Sequence, residues 1–169
     1  MKLISRYIFM VLLSMTLFAS VGCSTISNIN EAMPWHSANE VKTLGISVSY
    51  DNQLQHAISV DVVFVYDIAL AGMLTSASAI QWFDERPGYL ASYSQNLDVI
   101  HREIVPGYNE VIDTLPDRHS DAIAVLAFAY YPLNPNTKAD LTLLATPWLV
   151  FDSQQMQVLT IPPGVSTGD

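Results

Sequence analysis

The 169-residue chain holds a single cysteine, Cys23, so it can form no internal disulfide. Its four histidines, His36, His56, His101 and His119, do not pair with one another or with that cysteine at metal-ligand spacing. The chain has no HExxH, CxxC or GxSxG motif and no phosphate-binding glycine loop; Gly88 and Gly107 stand alone as turn glycines. These absences leave no catalytic set, no metal and no cofactor to expect, and the chain reads as a non-enzyme. Basic residues are also scarce: seven Lys and Arg face sixteen Asp and Glu, a net charge of −9. Without a basic patch or stripe, nucleic acid is not an expected partner. The same acidity opposes adhesion to anionic lipid head groups.

What is present begins at the N-terminus. Met1–Arg6 carries two positive charges, and the run from Tyr7 to about Phe18 carries none. That run is roughly a dozen residues, within the range of a signal peptide and short for a membrane span. Small residues then lead into Ser20-Val21-Gly22-Cys23. The pattern resembles a bacterial lipobox, in which a small residue precedes a cysteine that is cut and acylated. Ser20 stands where leucine is usual. Other readings stand beside it: a secretory signal cut after Ala19 or Gly22 that leaves Cys23 a free thiol, an uncleaved anchor, or a buried structural cysteine. The lipobox reading makes residues 1–22 a signal peptide and Cys23 the attachment point for acyl chains such as palmitate. Each buried methylene contributes about 0.8 kcal/mol, and more than one chain is needed for durable anchoring. Ser24, in place of aspartate, favours the outer membrane by resemblance to bacterial sorting rules.

Loss of Lys2 and Arg6 with the signal leaves five basic against sixteen acidic residues, a net charge of −11 over 147 residues. Residues 23–40 read as a lipidated terminus and tether rich in Ser, Asn, Ala and Pro, with Trp35 available to dock on the domain or on a neighbour. Residues 41–161 read as one domain, and 162–169 as a polar tail.

The domain reads mainly as strands. Val41–Tyr50 alternates, with Leu44, Ile46, Val48 and Tyr50 on one face. Ile58–Tyr66 follows after the polar connection Asp51–His56, and the two suggest an antiparallel pair. Asp67–Ser94 changes character and predicts a helical excursion. Within it Ser76–Phe83 forms a short helix, ended or kinked by Asp84-Glu85-Arg86-Pro87-Gly88, a solvated turn. Leu97–Val105, a Pro106-Gly107 turn and Tyr108–Leu115 come next. Asp121–Tyr131 follows, with Ala122–Tyr131 apolar on both faces as expected of a central strand, though its alanines also permit a buried helix. Leu141–Phe151 and Gln155–Ile161 form a last pair about Asp152-Ser153-Gln154, and Pro147 places the first at an edge or a bulge. His101-Arg102-Glu103 lies in a strand, so its neighbours alternate in direction and read as an exposed face. Asp113, Asp117 and Asp121 flank one loop but lack the glycine and spacing of a calcium loop. Seven or so strands with a helical insertion predict a β-sandwich.

This order resembles the outer-membrane lipoprotein of type VI secretion systems, the TssJ family. The resemblance rests on Val60-Asp61-Val62-Val63-Phe64-Val65-Tyr66, on Trp82-Phe83 and Leu90, on Ile104-Val105-Pro106-Gly107 and on the apolar Ile123–Tyr131 strand. It implies a mainly β fold, a transthyretin-like antiparallel β-sandwich with a short helical insertion. It implies a tether through Cys23 to the bilayer and a place on the periplasmic face of the outer membrane. The implied partner is the periplasmic part of TssM, a large inner-membrane protein, within the membrane complex. In the family the loop joining the first two strands is often longer, proline-containing and in contact with the partner. Here it is only Asp51, Asn52, Gln53, Leu54, Gln55 and His56, which become the candidate partner-binding residues. The alternative is another periplasm-facing lipoprotein module, pilotin-like or ligand-binding, with Trp82, Phe83, Tyr89 and Tyr93 lining a pocket. An enzyme would instead need a buried, convergent polar cluster around His101 or His119.

Overall fold

A computed structural model describes residues 38–48, 57–131 and 134–164. The signal, Cys23, the tether up to residue 37 and the Asp51–His56 candidates lie outside the described residues. Eight strands and two helices are present: β1 Leu44–Val48, β2 Ile58–Val65, α1 Ile68–Ser76, α2 Ala79–Ser92, β3 Leu97–Ile104, β4 Asn109–Ile112, β5 Ala124–Ala129, β6 Lys138–Asp140, β7 Trp148–Phe151 and β8 Met156–Leu159. One sheet runs β4-β1-β7-β8 and the other β3-β2-β5-β6. The expected β-sandwich with a helical insertion is the fold that forms.

Period-two alternation decides which side chains meet between the sheets. Leu44, Ile46 and Val48 from β1 and Leu149 and Phe151 from β7 pack there against Val60, Val62 and Phe64 of β2 and Val125, Ala127 and Ala129 of β5. The other faces of β2 and β5 are apolar too. Val63, Val65, Leu126 and Phe128 form a second core with Leu70, Leu74, Trp82 and Tyr89 of the two helices. The molecule therefore has three layers, helices on sheet on sheet, and β2 and β5 occupy the middle one. That double coverage is why both read as apolar on both faces.

Four expectations are corrected. First, β1 and β2 do not pair. β1 lies between β4, antiparallel, and β7, parallel, whereas β2 lies between β3 and β5. One sheet is therefore mixed. β1 carries Gly45 and Ser47 outward and suits a sheet covered on one side. β2 needs cover on both faces and goes to the sheet beneath the helices. Second, Pro106-Gly107 turns the chain from one sheet to the other. Tyr108 N–H donates to Val105 O at 3.0 Å, and Gly107 has φ 79°. This is the type II geometry, which suits glycine at its third position and splays strands instead of continuing a ladder. Third, Leu141–Phe151 is not one strand: β6 ends at Asp140 in one sheet and β7 begins at Trp148 in the other. Thr142 N–H donates to Asp140 Oδ1 at 2.9 Å, Leu144 N–H to Leu141 O at 3.0 Å, and Pro147, with no N–H to give, stands just before β7.

Fourth, the insertion is larger than one short helix. Asp67 caps α1 by accepting from Leu70 N–H at 2.8 Å, and Ser78 caps α2 by accepting from Gln81 N–H at 3.1 Å. Ser76 ends α1 instead of starting a helix. α2 continues through Pro87 and Gly88 to Ser92, so Asp84-Glu85-Arg86 is helical and not a turn. Pro87 removes one backbone hydrogen bond, a cost of about 3 kcal/mol in an isolated helix. Trp82 and Tyr89, two turns apart, bury on the same face and stack at 5.5 Å, and Trp82 stacks on Phe128 of β5 at 5.2 Å. Burial of those rings holds the helix through the proline. Lys138 of β6 closes α1 by donating from Nζ to the carbonyls of Thr75 and Ala77.

Candidate functional site: a buried carboxylate and the two ends of the sandwich

Asp61 is fully buried in the middle of β2, on the face beneath α2. It stands directly across from His101 of β3, and Ser59 directly across from Glu103. Asp61 Oδ1 lies 2.6 Å from His101 Nδ1. Oδ2 accepts from Trp82 Nε1 at 2.9 Å and lies 3.0 Å from Arg86 Nε. His101 Nε2 is 3.2 Å from Glu103 Oε1, to which Ser59 Oγ donates. The cluster is built by two periodicities. Ser59 and Asp61 share a strand face, as do His101 and Glu103, while Trp82 and Arg86 are four apart on one helix face. Arg102, between His101 and Glu103, points to the other side and donates from Nε and Nη2 to Glu110 of β4 at 2.8 and 3.0 Å.

The alternation expected for His101-Arg102-Glu103 is therefore present, but the His101 face is not simply solvent. It converges on Asp61, with His101 36% exposed and the carboxylate at 0%. The indole and the guanidinium occupy the space around that carboxylate. Its role in the fold is to pin α2 to the sheet. His119 lies apart, in the 3₁₀ turn His119–Asp121, with Nδ1 3.0 Å from Pro116 O. Trp82 and Tyr89 are packed in the core and line no pocket; Phe83 and Tyr93 are half-buried against it. Sequence reasoning passed over Asp61. The available signal was a lone carboxylate on a strand face shared with Ser59, Val63 and Val65, which demands buried partners.

The ends of the sandwich differ in what they carry. At the proximal end the chain joins the domain. Ala38 N–H donates to Ser120 O at 3.3 Å, and Asn39 Nδ2 donates to His119 O at 2.7 Å and Ala122 O at 2.9 Å. Asn39 Oδ1 accepts from Val41 N–H at 3.1 Å. A groove of about 550 Å³ opens at this end, between the start of β3 and the β4–β5 connection, lined by Gln95, Asp98, Leu115 and Arg118. The Arg118 guanidinium lies 4.1 Å above the Tyr66 ring, and Tyr66 Oη donates to Asp98 Oδ2 at 2.7 Å. Burial and then the Asp98 hydrogen bond push the Tyr66 phenol well above its ordinary value.

At the distal end β1 finishes at Val48 and β2 begins at Ile58, so the Asp51–His56 connection leaves and returns there. Its surroundings are braced. Val48 N–H donates to Tyr108 O at 2.8 Å. Asp152 Oδ1 accepts from the N–H groups of Gln154 and Gln155 at 2.7 and 2.8 Å. Tyr131 Oη lies 2.9 Å from both Asp152 O and Gln155 O, and burial raises its pKa.

A β-sandwich with helices covering one sheet is a known architecture. The chain has the fold of the type VI secretion lipoprotein TssJ. It aligns with the crystal structure of the lipoprotein TssJ1 from Pseudomonas aeruginosa at a TM-score of 0.53 and 11% identity, covering 72% of this chain and 95% of TssJ1. A chain of a type VI membrane complex aligns at a TM-score of 0.52 and 16% identity, covering 70% of this chain and 98% of that one. No family model and no curated protein matches the sequence. At these identities the shared property is the TssJ-like fold.

Proposed function

We propose that the chain is a lipoprotein of the outer membrane, anchored through Cys23 on the periplasmic face, and a structural, non-enzymatic component of a type VI secretion membrane complex. Its partner is the periplasmic part of a TssM-like inner-membrane protein, contacted through Asp51–His56. The observation that carries this reading is the TssJ-like fold, joined to a lipobox-like sequence ahead of it. Two further features support it. The chain joins the domain at one end and the Asp51–His56 connection leaves from the other. Of the four residues that would line a ligand pocket, Trp82 and Tyr89 are committed to the core, with Phe83 and Tyr93 half-buried against it, which weighs against a ligand-binding module.

Mass spectrometry of the mature N-terminus tests the anchor: an acylated Cys23 is expected, and an unmodified thiol overturns it. Co-purification from solubilised membranes tests the partner. The large inner-membrane protein of the complex is expected with the native chain and is lost when residues 51–56 are replaced by Gly and Ser. Equal recovery with both chains removes Asp51–His56 as the contact.

A further inference from the structure

Among the described residues, eight large apolar side chains are exposed, and the most exposed of them share one end of the sandwich. The three most exposed are Ile68 at 83%, Leu143 at 74% and Val111 at 58%. Ile68 opens α1 just past the end of β2, Leu143 lies in the turn between β6 and β7, and Val111 is one residue from the end of β4. All three sit at the proximal end, where Ala38 and Asn39 join. Ile161 at 42%, just past β8, adds a fourth at that end, while Val105 at 49%, past the end of β3, and Met73 at 44%, within α1, lie elsewhere. Four separate segments, drawn from both sheets, thus place an aliphatic side chain around one end of the sandwich. None of them fills a core and none is needed for the strand ladders.

We propose that this proximal end seats on the lipid bilayer, with Ile68, Val111, Leu143 and Ile161 entering the boundary between head groups and acyl chains. The proposal rests on the anchored reading above. The occupant follows from where the chain leads: residues 24–37 connect this end to Cys23 and span at most about 50 Å when fully extended. An anchored Cys23 therefore holds the rim within about 50 Å of lipid and raises its effective concentration there, and residues with no other partner meet that surface. Charge defines the kind of lipid. Glu40, Asp113, Asp121 and Asp140 are exposed around the rim, against Lys42 and Arg118. The contact is apolar and suits zwitterionic head groups; anionic lipid weakens it, and salt does not dissolve it.

The test uses the chain from Cys23 to Asp169, coupled through its one thiol to a maleimide lipid in phosphatidylcholine vesicles. This anchor is independent of whether Cys23 is acylated in the cell, so failure here and failure of the anchored reading are separate results. Amide hydrogen exchange is compared with the same chain capped at Cys23 and free in solution. Exchange is expected to slow several-fold at residues 67–69 and 142–144 and to stay unchanged at 153–155. Ile68→Asp with Leu143→Asp is expected to abolish that protection while leaving the thermal midpoint in place. Adding anionic phosphatidylglycerol is expected to reduce it. No slowing at 67–69 and 142–144, or equal slowing at both ends, overturns the proposal.

Discussion

Removing the Asp61 carboxylate leaves the Trp82 indole N–H without its acceptor and the Arg86 guanidinium without its counter-charge. Breaking a buried pair in this way costs roughly 3–5 kcal/mol. Arg86 keeps 27% of its side chain in solvent, which places the cost toward the lower end of that range. Asp61→Ala is therefore expected to lose about 3 kcal/mol in urea unfolding, and a loss under about 1 kcal/mol would contradict the burial. Gly45 makes a second residue-scale case. A Cβ there would stand 2.1 Å from Trp148 Cδ2, because the indole lies across the glycine on the outer face of the sheet. Gly45→Ala must displace that ring, at about 1–3 kcal/mol. In a Trp148→Ala background the same substitution is expected to cost much less, and a double-mutant cycle reads the difference.

At the scale of elements, the two sheets are joined at one edge by a bidentate pair. Arg102 of β3 holds Glu110 of β4, and Tyr108 Oη donates to the same carboxylate at 2.6 Å. The Arg102 hydrogen bonds hold the Glu110 carboxyl below its ordinary value of 4.5. A depressed carboxyl pKa contributes stability that is complete above the unfolded value and is lost as pH falls through the folded one. Glu110→Gln is thus expected to be less stable than the native chain by about 1 kcal/mol at pH 7. The two should converge as pH falls below about 4, as read by denaturant midpoints. The helices offer a prediction of the opposite sign. Pro87 is exposed and leaves Phe83 O without its helical donor, so Pro87→Ala is expected to stabilise the domain by about 1–2 kcal/mol.

The same scale shows what the sequence could disclose. The strand positions of β2 and β5 were legible because apolar side chains occupy both faces, and a central location follows from that. The pairing of β1 was not legible. Its alternation states that one face is buried but not which strand lies beside it, and its parallel partner β7 is about 100 residues further along the chain. Pro106-Gly107 announced a turn without announcing that the turn crosses between sheets. Pro87-Gly88 announced a helix end that ring burial at Trp82 and Tyr89 overrides. Of the site, Cys23 and Asp51–His56 came from sequence and resemblance, and both lie outside the described residues. The Asp61 cluster needed three segments brought together, although the lone carboxylate in β2 was itself a sign.

For the whole molecule, the separation of the two ends matters more than any single side chain. The proximal end carries the junction with the tether and the apolar rim, and the distal end carries the connection proposed to meet the partner. Substitutions should sort by end. Ile68→Asp with Leu143→Asp is expected to leave partner recovery intact while changing contact with lipid. Replacement of 51–56 is expected to do the reverse, with both proteins unfolding at the native temperature.

β1 links those ends directly. Its first residue follows the Asn39 junction, and its last precedes the β1–β2 connection. A pull between anchor and partner would therefore run lengthwise through one five-residue strand. That strand has hydrogen-bonded neighbours on both sides, β4 antiparallel and β7 parallel. Tension applied at both ends of one strand is carried by its covalent backbone, and the ladders on either side hold that strand in register within the sheet. If the proposed anchor and partner are both engaged, the domain becomes a load-bearing link whose tension runs along β1.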